Sequence, residues 1–180
     1  MAIYTRRGDK GKTSLYDSRN KQETRVDKDS VKIAAIGSID ELNSYLGLVV
    51  ALSTEPKTAK FIKGIQSDLL RIGSILAGSN LRFGSLGVRK LELTIDKLEN
   101  DLPVLANFIF PGGSLISANF QVARSVARRA EREVVRLAGL EDINDNIVKY
   151  LNRLSDYLFM AARSANNKLH IQDELWTPTN

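Results

Sequence analysis

The chain has 180 residues, 43% hydrophobic and 26% charged, with a net charge of +5, no cysteine and one histidine, His170. That is one globular domain able to bury its own core, and it excludes disulfides, thiolate metal sites, cysteine nucleophiles, multi-histidine metal sites and the paired Glu-x-x-His motifs of ferritin-type di-iron chemistry. The charge favours an anionic partner (nucleotide, nucleic acid or acidic membrane), no apolar run approaches the roughly 18 residues of a membrane span, and the N-terminus lacks a signal h-region, so the expected location is the cytoplasm.

Residues 1–30 are polar and aperiodic, and a segment of that kind in a compact domain is functional or disordered. Within them, Thr5-Arg6-Arg7-Gly8-Asp9-Lys10-Gly11-Lys12-Thr13-Ser14 has the composition of a phosphate cradle, with glycines to turn amides inward and cations and hydroxyls as donors. It is not a Walker A loop, because only two residues separate Gly8 from Gly11 where that motif needs four. The first helix carries Ala35, Ile39, Leu42, Leu46 and Val49 at steps of 4, 3, 4 and 3. At its head Ser38 and Glu41 fit a capping box, yet the apolar pattern begins earlier and would place Asp40 inside the helix, free to orient an arginine from another helix. Both readings stand at this level.

A second helix follows Pro56 with Phe61, Ile65, Leu69, Ile72 and Leu76, and Gly78–Gly87 reads as a mobile linker. A third carries Leu91, Ile95, Leu98 and Leu102 and stops before Pro103. Phe108-Ile109-Phe110-Pro111-Gly112-Gly113-Ser114 is an apolar run, a glycine turn and a serine N-cap. The fourth helix, from about Ser114 to Ala138, ends at Gly139. On it Arg124, Arg128 and Glu131 fall within about 60° of one another, with Arg132 on the flank. Val122, Val126, Ala130, Val134 and Leu137 lie opposite. Arginines stacked at i, i+4 cost a few tenths of a kcal/mol per pair unless water screens them or an anion neutralises them. The fifth helix has Ile147, Leu151, Leu154, Leu158 and Ala161, with Asn152 and Asp156 one turn apart among the leucines. Asparagine is a weak helix former, so its place there suggests a specific hydrogen bond. No strand signal is comparably strong. Steps averaging near 3.5 favour left-handed, near-antiparallel packing. The expected fold is all-α: a five-helix, left-handed up-down bundle, ferritin-like in outline, preceded by an irregular nucleotide-binding loop. One domain spans 1–180, with the loop at 1–30, the bundle at about 31–168 and a tail at 169–180.

Five separated motifs agree in order from Ile3 to about Ala165: Tyr4-Thr5-Arg6-x-Gly8-Asp9-Lys10-Gly11-x-Thr13-Ser14; Asp40-Glu41-Leu42-Asn43; Phe108-Ile109-x-Pro111-Gly112-Gly113; Ala123-Arg124-x-x-Ala127-Arg128-Arg129-Ala130-Glu131-Arg132; and Tyr150-Leu151-Asn152-Arg153-Leu154-Ser155-Asp156-Tyr157-Leu158-Phe159. Together they resemble the ATP:cob(I)alamin adenosyltransferases of the propanediol-utilisation type. The resemblance implies a homotrimer with ATP between subunits and transfer of the 5′-deoxyadenosyl group to cobalt, leaving triphosphate. It implies that Thr5, Arg6, Arg7, Gly8, Thr13, Ser14 and Lys28 wrap the nucleotide. Arg128, Arg129, Glu131 and Arg132 would wall its phosphates, and Asn152 would contact it. Arg124 matches an arginine that pairs with Asp40 across the subunit boundary. Phe108 matches a phenylalanine that keeps the lower ligand off the cobalt. Mg²⁺ would be held mainly through the ATP phosphates, and a flavin- or reductase-type donor would supply the electron, with no nucleic acid or membrane as partner. Two positions depart from the family pattern: Gln121 stands where many members have histidine, and Arg7 where threonine or asparagine is common.

Such a reaction suits this inventory. Co(I) is itself a strong nucleophile, so the protein need only hold the 5′ carbon in line with cobalt and stabilise charge on the departing triphosphate. Two alternatives remain from the sequence: a basic helical nucleic-acid-binding module, and a trimeric scaffold stapled by nucleotide.

Overall fold

Helices begin where the sequence supplies a cap. Ser30, extended at φ −66° and ψ 150°, accepts at Oγ from the Ile33 amide and opens α1 (Val31–Leu52). Pro56 opens α2 (Pro56–Leu76), since its missing N–H has no intrahelical partner to lose. After α3 (Leu86–Asn100), Ser114 caps α4 (Leu115–Ala138) by accepting from the Ser117 amide, and Asn144 caps α5 (Asp145–Lys168). The computed structural model, which describes residues 4–18 and 21–178, therefore contains the five helices the periodicity predicts. Ser38 and Asp40 lie inside α1, so the capping-box reading falls and the internal one holds.

The helices pack as a bundle in which α5 lies against α3 and α4, while α1 lies against α2 and α4. The apolar stripes predicted for α1 and α5 are the core: Ala35, Leu42, Leu46 and Val49 from one and Ile147, Leu151, Leu154 and Leu158 from the other are fully buried. Each such leucine or isoleucine contributes on the order of 1.5–3 kcal/mol. On α4 the buried residues include Ala123, Ala127 and Ala130, small enough for both neighbouring helices to approach closely. Two stripe assignments shift. Val122 is 47% exposed and Ala123 takes the inward position, while on α2 Ile62 is buried and Phe61 only half-buried.

α1 is long and apolar enough, by length and composition alone, to cross a membrane, a test that a bundle-core helix also passes. Interspersed polar residues hide that character from a search for continuous apolar runs. Its fully buried face belongs to the bundle core; the rest of its apolar surface is left open.

Three other segments differ from the sequence reading. Two stretches of the N-terminal segment are not irregular: β1 (Lys12–Asp17) and β2 (Gln22–Asp27) pair antiparallel in the register Lys12↔Asp27 to Asp17↔Gln22. The hairpin is tied to the end of α2, where the Ser18 amide donates to the Gly78 carbonyl at 3.0 Å. Gly78 is at φ +108° and a Cβ there would stand 2.8 Å from the Tyr16 carbonyl oxygen, so only glycine fits. The Gly78–Gly87 segment is anchored rather than loose. Phe83 is 4% exposed, its ring meets Tyr150 edge-on at 5.1 Å, and its carbonyl accepts from Asn144 Nδ2 at 2.8 Å. Beyond Leu169 the chain forms an isolated bridge, Ile109↔Leu175, to the segment before α4.

Gly113 fixes how that segment enters α4. It sits at φ +92°, and the Asn166 side chain fills the space a Cβ would need. Asn166, 4% exposed, accepts at Oδ1 from the Ser114 amide and hydroxyl and donates at Nδ2 to the Gly112 carbonyl. Gly113→Ala is expected to lower stability by about 1–3 kcal/mol through left-handed backbone strain and displacement of Asn166. A urea denaturation with an unchanged midpoint would contradict this account of the turn.

Candidate functional site

The arginine row of α4 is the electrostatic centre of the molecule. Arg124 is partly buried, and desolvation, then repulsion from Arg128, lowers its pKa from the usual arginine value. Its Nε donates to the neutral Oε1 of Gln121 at 2.9 Å. Neither Arg124, Arg128 nor Arg132 forms an ion pair among the described residues, whereas Arg129, Arg136, Arg153 and Arg163 each do. The three arginines that stack on one another are thus left without a carboxylate.

Two hollows open along this row. The larger, about 850 Å³, is lined by Phe108, Gln121, Arg124, Arg128, Ser155 and Phe159 among others. Its wall mixes apolar residues with arginines and with the carboxylates of Glu92, Asp96, Glu99 and Asp156, and Phe108 stands 80% exposed at it. The smaller is lined by Arg128, Glu131, Arg132, Val135 and Asn152, and Asn152 Nδ2 donates to Glu131 Oε1 at 2.9 Å, the specific bond its mid-helix position suggested. Arg128 belongs to both. Arg129 stands apart: its Nη2 lies 2.6 Å from Glu41 Oε1, on the seam between α1 and α4. Another cleft, mostly apolar and floored by Tyr157 and Ala161, holds none of the predicted site residues.

The N-terminal residues form a separate face. Gly11, at φ +75°, accepts from the Lys28 amide at 2.8 Å, and Lys28 Nζ lies over Gly8, where a Cβ would approach it to 3.0 Å. Thr13, Lys28 and Asp40 line one hollow with Gly37 and Asn43. Arg25 organises the curl, donating to Ser14 Oγ at 3.1 Å, to the Arg7 carbonyl at 2.6 Å and to the Lys12 carbonyl at 3.3 Å. Arg7 turns its own guanidinium to Glu23 at 2.5 Å, Arg6 takes φ +56° beside the Tyr4 ring, and Thr5 is exposed next to them. The Ser14 hydrogen bond, against some desolvation and with help from Arg7 and Arg25, holds the Glu23 carboxyl below its ordinary value.

No hydrogen bond or ion pair among the described residues joins this face to the arginine row, and Asp40 makes no ion pair with Arg124. The structure thus gathers the predicted residues into two separate groups. Sequence reasoning missed Arg25, whose signal was only its place opposite Ser14 in an unrecognised hairpin. It also missed the C-terminal tail, which pairs with the segment carrying Phe108: the Trp176 amide donates to the Phe108 carbonyl and the Phe110 amide to the Glu174 carbonyl, each at 2.8 Å.

A family profile described as cobalamin adenosyltransferase matches residues 3–165. A corrinoid adenosyltransferase of Bacillus subtilis (strain 168) is 41% identical over 182 residues, covering 96% of this chain and 91% of that protein. A cobalamin adenosyltransferase of Cupriavidus metallidurans is 41% identical over 180 residues, covering 97% and 93%. Among solved structures, a phenylalanine-to-alanine variant of a PduO-type ATP:corrinoid adenosyltransferase from Lactobacillus reuteri, complexed with cobalamin and ATP, superposes with a TM-score of 0.91 at 34% identity, covering 98% of this chain and 100% of that one. An arginine-to-lysine variant from the same organism, complexed with ATP, gives a TM-score of 0.90 at 34% identity, covering 97% and 100%.

The unpaired row predicts oligophosphate binding. Inorganic triphosphate is expected to raise the thermal midpoint of the wild type, a ligand at 100 times its Kd adding about 2.7 kcal/mol. Arg128→Ala should remove most of that gain and Arg136→Ala, on a cation already paired with Glu133, should leave it intact. Equal loss in both variants would mean diffuse charge attraction instead of a site.

Proposed function

Given that the chain belongs to the cobalamin adenosyltransferase family, we propose how its own residues carry the reaction. The protein is an ATP-dependent corrinoid adenosyltransferase: it moves the 5′-deoxyadenosyl group of ATP to the cobalt of cob(I)alamin. The electron pair of Co(I) forms the cobalt–carbon bond while the C5′–O bond breaks, and the departing pair stays on triphosphate. No protein base or covalent nucleophile is needed, which suits a chain with no cysteine and a histidine near its C-terminus.

One observation carries the assignment of residues: Arg128 lines both hollows. We assign the larger to the corrinoid and the smaller, with Glu131, Arg132 and Asn152, to the triphosphate of ATP. Arg128 then stands where the two substrates must meet, and its guanidinium can stabilise charge on the phosphates as the bond to C5′ breaks. Phe108 is assigned to the lower face of the corrinoid. An aromatic ring there displaces the axial ligand of Co(II), which eases reduction to Co(I) by a flavin- or reductase-type donor. Mg²⁺ belongs with the nucleotide: the smaller hollow offers a single carboxylate, Glu131, so the phosphates would be its principal ligands, and bound there it would neutralise part of their charge.

The other half of the nucleotide site comes from a second subunit. Thr5, Arg6, Arg7, Gly8, Thr13, Ser14 and Lys28 wrap the nucleotide from their own face, and Asp40 reaches the partly desolvated Arg124 of the neighbouring chain. Support comes from the separation of the two faces within one subunit and from the apolar surface α1 and α4 leave open, including Leu48 at 46%, Leu115 at 69% and Val122 at 47% exposure. A closed homotrimer repeats that contact three times, with ATP in each interface. Arg129, held by Glu41, serves the α1–α4 seam of its own subunit and borders the phosphate wall.

Anaerobic incubation with ATP, Mg²⁺ and chemically reduced cobalamin should give a light-sensitive cobalt–carbon product that requires ATP. ATP binding without product would sink the assignment. Phe108→Ala is expected to preserve ATP affinity and to slow turnover from cob(II)alamin about a hundredfold, a barrier increase near 3 kcal/mol. Equal losses in affinity and turnover would remove Phe108 from the corrinoid face.

A further inference from the structure

α5 carries two buried polar residues one turn apart that the reaction does not use. Arg163 and Asn166 are 6% and 4% exposed, on a helix face otherwise filled by Leu158, Ala161 and Ala162. Asn166 binds Gly112 and Ser114; Arg163 donates at Nη2 to the Pro103 carbonyl at 2.8 Å and at Nε to Asp173 Oδ2 at 2.7 Å. The segment between Pro103 and Gly112 is therefore pinned at both ends to one turn of α5. Its middle, Phe108 to Phe110, is pinned on the other side by backbone bonds to Glu174 and Trp176, three residues or fewer beyond Asp173. Arg163 holds both strands of this pairing at once: one through a carbonyl, the other through a carboxylate. A desolvated guanidinium fixes geometry strongly, since losing either partner leaves buried polar groups unmatched.

We propose that the buried Arg163–Asp173 pair is a clamp that sets the register of the C-terminal tail against the Phe108 segment, making Arg163 a positioning residue for Phe108. The proposal rests on the assignment of Phe108 to the corrinoid. Unclamped, the segment keeps its sequence but loses the backbone partners that hold the exposed Phe108 ring, which meets Trp176 edge-on at 6.3 Å. The nucleotide contacts proposed above lie on α4, at Asn152 about three turns before Arg163 on α5 and on the N-terminal face, away from the clamp.

The test uses Asp173→Ala, on the tail side where the bundle core is not disturbed, and Arg163→Lys, which keeps the charge but not the fork. Trp176 is the sole tryptophan, so its fluorescence reports the tail alone, and hydrogen exchange at the Phe110 amide reports the pairing. Asp173→Ala should red-shift Trp176, raise its quenching by acrylamide and speed exchange at Phe110 at least tenfold. ATP affinity should stay within twofold, while the four-coordinate fraction of bound cob(II)alamin and the turnover from it fall about tenfold. Arg163→Lys should fall between the two. Unchanged Trp176 shielding and Phe110 exchange would overturn the clamp. A released tail with unchanged four-coordinate fraction and turnover would overturn the positioning role. If the wild type itself makes no adenosylated product, the transferase reading fails, and the exchange and fluorescence arms still decide the clamp.

Discussion

Three arginines repeat at i, i+4 on α4 without a carboxylate of their own, and the functional architecture follows from that. Several of the other helical cations are paired: Arg129 with Glu41, Arg153 with Glu92 and Asp156, Lys32 with Glu141. Arg124, Arg128 and Arg132 face one another instead, and Arg124 is additionally desolvated with only the amide of Gln121 for company. A helix can sustain such a row only if water or an anion offsets it. The triphosphate of ATP and a carboxylate from a second subunit are the two anions proposed here. Both answer the same deficit, so nucleotide binding and subunit association are expected to reinforce each other.

The bundle was legible because its helices are long and their apolar steps regular, so packing and periodicity agree. Where a residue could face two ways, periodicity misled: Val122 and Ala123 are neighbours, and the crowded seam of α4 took the smaller one inside. The hairpin was illegible for a different reason. Its strands are six residues each, with Leu15 and Val26 as their only aliphatic members, and its register depends on Arg25 and on a glycine at the end of α2. Neither leaves a period-two signature.

The candidate site divides along the same line. Residues on α4 were legible, since helical geometry alone puts Arg128 and Glu131 on one stripe, whereas Asn152 joins them from α5 only through the packing of the two helices. The support behind Phe108 was not. Arg163 and Asn166 read as polar interruptions of an apolar face, and the tail they organise has no pattern of its own. Only tertiary contact shows that one turn of α5 holds both the chain before α4 and the chain after α5.

The central claim is that each site is assembled from two subunits, the hairpin face of one and the arginine row of another. The most direct measurement is complementation. Lys28→Ala with Asp40→Ala disables one half-site and Arg128→Ala the other, each in its own tagged chain, and the two chains are co-expressed and purified as mixed assemblies. The account predicts that both parents are nearly inactive and that the mixed assemblies regain about a third of the wild-type rate, because every closed ring of three that holds both chains has one interface with two intact halves. A mixed assembly no more active than its parents would contradict it, because both halves would then belong to the same chain.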